Sequence, residues 1–331
     1  MSEAGDYSPS GWAGSHDFTK TKTVYRDYAD TSYSKAVRSG KTLKDLVPVF
    51  IETDSKNPII VVTDETGSMG DWPATIFSKL PYLEHEAKTE YFGKDAEFAF
   101  GAFGDAHNGE DYPLQIRPFA KGEDLPKKLK ELVQEGKGGG TEQESPEYAA
   151  LYVARNIKMS KAINPLVVFI SDESPYAHVD VDLAESLAHV KLEKRMKTGD
   201  VFNELKTKAA VYFIQKPYNT GTFSDGKLTG VTKRVNEDWA KLVGEDHIAL
   251  LADPNRVVDV IFGIMAKEAG RIDYFKEEIE DRQKKDQVET VYEALRSIHA
   301  LPKNEKKLLM GRSVTRKSGK GGKDEDTEPL A

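Results

Sequence analysis

The stretch VVTDETGSMGDW, residues 61–72, leaves an apolar run through one carboxylate and two hydroxyls. Extended backwards it reads NPIIVVTD, residues 57–64, which is short, rich in β-branched residues and bounded by Pro58 and a turn. That pattern predicts a strand buried on both faces, as in a parallel sheet. Asp64, Thr66 and Ser68 follow at alternate positions, with Gly67 and Gly70 loosening the backbone. Alternate spacing lets the three side chains converge where the strand turns into the next helix.

Outward from this strand, apolar runs alternate with helical periods. Ile76, Leu80, Leu83 and Ala87 fall on one helical face. AEFAFGAFGD (96–105) and PLQIRPF (113–119) read as strands joined by the polar loop AHNGEDY. A connection this short predicts a hairpin, hence one antiparallel edge strand. DLPKKLKELVQ (124–134) and YAALYVARNI (148–157) read as helices, and NPLVVFISDESP (164–175) as a fourth strand with a polar end. Residues 182–197 are predicted to form one amphipathic helix. AAVYFIQ (209–215) and HIALLAD (247–253) supply the fifth and sixth strands. PNRVVDVIFGIMAKEAG (254–270) opens a helix with Pro254 in its first turn. A last helical region carries Val288, Val291, Leu295 and Ile298. The expected class is α/β: a Rossmann-like, doubly wound, mostly parallel six-stranded sheet with one antiparallel edge strand, plus a helical C-terminal extension. Ligands of such sheets bind at the carboxyl ends of the strands, near the point where strand order reverses.

Composition narrows the function classes. The chain has 331 residues, 38% of them hydrophobic, enough for a large domain with an appendage. Its 47 Lys and Arg against 55 Asp and Glu give a formal charge of −8, which argues against a general nucleic-acid binder. Without cysteine, disulfides and thiolate metal sites are excluded. The opening MSEAGDYSPSGWAGSHDFTK has neither the basic nor the apolar segment of a signal peptide, and no apolar run is long enough to span a bilayer. The expectation is a soluble cytoplasmic protein, with a virion component as the alternative. Residues 1–45 read as a polar arm, in which Tyr7, Trp12, Tyr25, Tyr28 and Tyr33 could dock. Residues 46–270 read as the main domain, 271–312 as the helical extension and 313–331 as a disordered charged tail.

Three polar loops should meet on one rim of the sheet: DETGS after the first strand, GGGTEQESPE, and SDESP after the fourth strand. Together they would present Asp64, Thr66, Ser68, Thr141 and Asp172. All five carry oxygen donors, and few carboxylates among several hydroxyls suit a hard divalent cation such as Mg2+, with Mn2+ or Ca2+ as substitutes. Each piece has a plainer reading: helix capping for D-x-T-x-S, an ordinary turn for SDESP, a flexible loop for the glycines. Asp105 ends the second strand on the same rim. Glu65, Asp71, Glu142, Glu144, Glu147 and Glu173 read mostly as a solvated acidic face, and His107 and His178 as surface residues without metal-ligand spacing.

VVTDETGSM resembles the first motif of the von Willebrand factor type A (VWA) domain, D-x-[ST]-x-S after a buried strand. GGGT resembles the family's second loop, and VVFISDE is similar to its fourth-strand motif. The resemblance spans residues 57–270. It implies a metal-ion-dependent adhesion site (MIDAS), with Asp64 holding the cation through water and Thr66 and Ser68 ligating by hydroxyl. Thr141 would ligate directly or through water, with Ser145 as the alternative second-loop residue, and Asp172 would act from the outer coordination sphere. It further implies a non-catalytic protein-binding module whose open coordination position takes an Asp or Glu of a partner, as in intracellular relatives that work with a AAA+ ATPase. No nucleic-acid or membrane partner is implied. An attachment protein of a virion is the second binding reading. A Mg2+-dependent phosphohydrolase is disfavoured, since its D-x-D motif would need an Asp where Thr66 stands. Neither a phosphate loop nor a G-x-S-x-G elbow is present.

Overall fold

Strand β1, Pro58–Asp64, is buried along its whole length and occupies an interior position in a six-stranded sheet. The computed structural model describes residues 47–80, 83, 91–93, 95–108, 110, 112–122, 124–129, 131–132, 141–218, 223–224 and 227–299. The chain divides into two units, 1–299 and 300–331, and every described residue belongs to the first. The expected arm (1–45), the tail (313–331), the last part of the helical extension (300–312), Ala87 and the three glycines at 138–140 lie outside the described residues.

The remaining strands are β2 (Glu97–Phe103), β3 (Leu114–Ile116), β4 (Leu166–Ser171), β5 (Ala210–Gln215) and β6 (Ile248–Leu250). Their order across the sheet is β6-β5-β4-β1-β2-β3. All neighbouring pairs are parallel except β2 with β3, the expected hairpin edge. Gly101 faces Ile116 across that hairpin, and a Cβ there would come within 2.6 Å of Ile116 Cδ1 and 2.8 Å of the Gln115 carbonyl oxygen. Only glycine lets the edge strand close this tightly.

Alternation along the strands sends side chains to two apolar clusters, one on each face. Ile59, Val61, Phe98, Phe100, Val168 and Ile170 belong to the first cluster. It includes residues of α1 (Trp72–Lys79), α7 (Val257–Glu268), α8 (Ile272–Arg282) and α9 (Lys285–Ala294). Ile60, Val62, Ala99, Val167, Phe169 and Phe213 belong to the second. That cluster includes residues of α3 (Pro146–Asn156), α4 (Val181–Ala188), α5 (Thr198–Lys206) and α6 (Gly230–Val243). Helix α2, Asp124–Leu129, buries Leu125 and Leu129 in the first cluster. Phe275, Ile279, Val288, Val291, Leu295 and Ile298 are buried in that same cluster, so α8 and α9 complete one sheet face.

Residues 182–197 do not form one helix. Helix α4 stops at Ala188 because His189 takes a left-handed conformation (φ 54°), and both His189 N and Val190 N donate to the Ala184 carbonyl. Met196–Lys197 instead pairs antiparallel with His178–Val179, and a separate helix, α5, starts at Thr198. The helical spacing was misleading because Leu187, Val190 and Leu192 are all buried, though only Leu187 is helical. The segment opened by Pro254 begins as a 3-10 turn, Pro254–Arg256, before α7. None of the helices among the described residues is long and apolar enough to cross a membrane.

Candidate functional site

From β1 the chain builds β2 and β3 to one side, then returns to build β4, β5 and β6 on the other. The carboxyl ends of β1 and β4 therefore flank the reversal of strand order, where the crevice of an open α/β sheet lies. In-register pairing of Thr63 with Ile170 sets Asp64 beside Ser171.

Asp64 is fully buried. Its Oδ1 accepts from Thr66 N at 2.8 Å and Thr66 Oγ1 at 2.6 Å, and its Oδ2 accepts from Ser171 Oγ at 2.6 Å. Thr66 Oγ1 lies 3.1 Å from Ser68 Oγ, which donates to Asp172 Oδ1 at 2.9 Å. An unbroken run of oxygens thus crosses from the β1 loop to the β4 loop. Asp64 closes a tight turn on Thr66 and caps no helix. The caps of the following helical turns, Thr66 and Asp71, make no side-chain cap bond. Gly70, at φ 58°, supplies the left-handed residue that separates the 3-10 turn Gly67–Met69 from α1.

In the second loop, Thr141 engages Asp105 and its own loop. Thr141 Oγ1 lies 3.3 Å from Asp105 Oδ2 and 3.0 Å from the Gln143 carbonyl oxygen. Among the described residues no direct hydrogen bond joins it to Asp64, Thr66, Ser68 or Asp172. Asp105 is fully buried and also accepts from Tyr176 OH at 3.1 and 3.2 Å and from His107 N at 2.9 Å. Ser145 is buried and committed to the end of β2: its N donates to the Gly104 carbonyl at 3.1 Å and its Oγ accepts from Ala106 N at 3.0 Å. Glu142, between the two candidates, is held at φ 55° and ion-paired with Arg234. A two-residue parallel ladder, Gln143–Glu144 with Ser174–Pro175, ties this loop to the one after β4.

That ladder also overturns part of the solvated-face reading. Asp71 is exposed, but Glu65, Glu144, Glu147 and Glu173 are buried. Burial pushes the Asp64 carboxyl up to about 7 and Asp172 adds to it, against the hydrogen bonds from Ser171 and Thr66. Burial likewise pushes Glu144 up to about 12, with Asp64, Glu173, Glu110 and Asp105 adding repulsion. Glu173 is raised to about 7 by burial and then Asp172, and Glu147 is raised by burial. Crowded carboxylates with too little positive charge among them are a setting that a cation stabilises.

Glu144 gives a direct test. Its folded value lies far above the 4.5 of the unfolded chain, so its contribution is fully present below about pH 4.5 and lost as pH rises. Glu144→Gln removes that slope. In urea denaturation the variant should match wild type near pH 4 and exceed it increasingly from about pH 6 to 9. Parallel pH profiles for the two proteins would show that Glu144 is not held protonated.

Two contributors were missed by the sequence reading. Ser171 is the last residue of β4 and holds Asp64. Lys216 follows β5 directly, and its Nζ donates to Asp172 Oδ2 at 2.6 Å and to the Ser68 carbonyl at 2.9 Å. The available signal was a lysine immediately beyond an apolar strand, on the same rim as SDESP.

The donor set can be tested against Mg2+ directly. An octahedral ion with oxygens at about 2.0–2.1 Å sets neighbouring ligand oxygens about 2.9 Å apart. The Thr66–Ser68 and Ser68–Asp172 spacings of 3.1 and 2.9 Å are those of hydrogen-bonded hydroxyls, and they leave the Thr66 and Ser68 oxygens close enough to be neighbouring ligands of such an ion. Hard, mostly neutral oxygens with two nearby carboxylates suit the ion. Among the described residues no group of three or more His, Asp or Glu is arranged to hold a metal, so the fit rests on hydroxyls together with Asp64 and Asp172.

An open groove of about 850 Å³ lies at the opposite rim, lined by Glu52, Glu97, Arg155, Lys158 and Lys208. Its cations are engaged: Arg155 pairs with Glu204, Lys208 donates to the Ala154 carbonyl, and Lys158 lies over the Phe50 ring.

Comparison with known proteins assigns no family. No family model matches the sequence, and no curated protein matches it. Solved structures do match. The pilus adhesin SpaC from Lactobacillus rhamnosus GG, in its open conformation, aligns with 69% of this chain at 10% identity and a TM-score of 0.47. A second form of that adhesin aligns with 69% of the chain at 9% identity and a TM-score of 0.47. Proximal thread matrix protein 1 of the mussel byssus aligns with 66% at 13% identity and a TM-score of 0.43. The aligned region covers 31% of the open adhesin and 49% of the matrix protein. At these scores the likenesses assign neither family nor activity.

Proposed function

We propose that the chain is a non-catalytic protein-binding module of the VWA kind, with a doubly wound sheet and a Mg2+ site of the MIDAS type on its carboxyl rim. The observation that carries this reading is the oxygen run Asp64–Thr66–Ser68–Asp172 across the strand-order reversal. Asp64, Thr66, Ser68 and Asp172 would hold the ion, with Thr141 brought in from the second loop. When bound, the ion supplies an open position for a carboxylate oxygen of an Asp or Glu on a partner protein. The chain's own residues orient the hydroxyls: Asp64 fixes Thr66, Ser171 fixes Asp64, and Asp172 fixes Ser68. A AAA+ ATPase as partner belongs to this proposal through the family resemblance alone, and a cytoplasmic setting through the cysteine-free composition.

The test is calorimetric titration of EDTA-stripped protein with Mg2+, followed by thermal melts. A site filled at a hundred times its Kd stabilises the fold by about 2.7 kcal/mol. Thr141→Ala should weaken Mg2+ binding about tenfold. Ser145→Ala should leave Mg2+ binding unchanged while lowering stability, because Ser145 pins the β2 end. No heat and no melting shift with Mg2+, Mn2+ or Ca2+ would end the proposal.

A further inference from the structure

Lys216 is the one cation hydrogen-bonded to this oxygen cluster among the described residues. Its side chain is 13% exposed and Asp172 is 1% exposed, so the pair is largely shielded from solvent. The ammonium touches two residues from different loops, Asp172 and Ser68, and these are the residues whose oxygens face each other at 2.9 Å. Lys216 N donates to the Ser171 carbonyl at 2.9 Å, which fixes the backbone to β4 and leaves only the side chain to move.

We propose that Lys216 is a tethered cation that closes the metal-free site and must withdraw from Asp172 before a divalent ion is held, so that it sets the site's metal affinity. This rests on the Mg2+ reading above. An ammonium has three donors and no lone pair, so it offers a metal no ligand and only repulsion. Two cations on one buried carboxylate repel strongly, because solvent screens them little. The four-carbon stem gives the head group the reach to leave. The site therefore trades one positive charge for two, and the metal-free protein never carries Asp172 unpaired.

The experiment uses the full chain stripped with EDTA, titrated with Mg2+ alone by calorimetry, for wild type, Lys216→Met, Lys216→Gln and Lys216→Arg. The two neutral variants should bind Mg2+ at least ~10-fold more tightly than wild type, and Lys216→Arg should stay within about threefold of it. Both neutral variants should also melt lower than wild type without metal and recover with Mg2+. Detectable binding in the neutral variants alone would support the proposal equally. Equal or weaker binding in whichever neutral variant folds, with wild type binding normally, would overturn the role of Lys216 and leave the metal site standing. Silence from all four proteins would overturn both.

Discussion

Asp64→Asn is expected to abolish the Mg2+ response and, without metal, to make the protein more stable above neutral pH. The substitution keeps an oxygen acceptor for Thr66 N and Thr66 Oγ1, and Ser171 Oγ can accept from the new amide as readily as it donated to the acid. What disappears is a fully buried charge raised to about 7 by burial and by Asp172. The folded value lies above the unfolded 3.8, so this group's contribution is fully present below about pH 3.8 and lost as pH rises through about 7. In EDTA at about pH 8 the wild type bears the full cost of that charge and the Asn variant bears none, so the variant should melt several degrees higher. Metal affinity should fall ~100-fold or more, since a charged ligand has become neutral. An aspartate that served only to close its turn would give the opposite pair of results: slightly lower stability and an unchanged metal response. Melts in EDTA and in excess Mg2+ on both proteins separate the two cases.

The sheet was readable because its strands are short apolar runs bounded by turn residues, and because the short polar stretch AHNGEDY pointed to the antiparallel edge. Helix α6 was not, although Val235, Trp239 and Leu242 are buried at helical spacing. It opens on Gly230 at φ 54°, a weak helix former, so the Thr229–Gly230 pair reads as a turn rather than as a helix start. At the site, Asp64, Thr66 and Ser68 are local and were legible. Ser171 and Lys216 depend on register: Gln215 pairs with Ser171, which sets Lys216 against the loop after β4. One residue of slip would send both elsewhere. The burial of Glu144 and Glu173 follows from the ladder between residues 143–144 and 174–175, a contact that local composition does not encode. A run of glutamates in a loop looks solvated until a second loop covers it.

Trp239→Ala should be the most destabilising single change considered, by ~3–5 kcal/mol. The indole is fully buried, stacks on Phe213 with ring centroids 3.9 Å apart, and packs against Phe169 and Phe202. Those rings belong to β5, β4 and α5, so truncation opens a cavity where two strands meet their covering helices. Its Nε1 also donates to the Glu173 carbonyl at 2.9 Å, one residue beyond Asp172. Trp239→Phe isolates that bond: it keeps most of the stacking, should cost less than the Ala change, and leaves a buried carbonyl without its donor, a loss of about 1–3 kcal/mol. If the Glu173 backbone is what holds Asp172 against Ser68, the Phe variant should also bind Mg2+ more weakly, by about tenfold. Urea denaturation and Mg2+ titration of both variants measure the two effects separately. A Phe variant with lowered stability and wild-type Mg2+ affinity would confine Trp239 to the core and leave the orientation of Asp172 to Ser68.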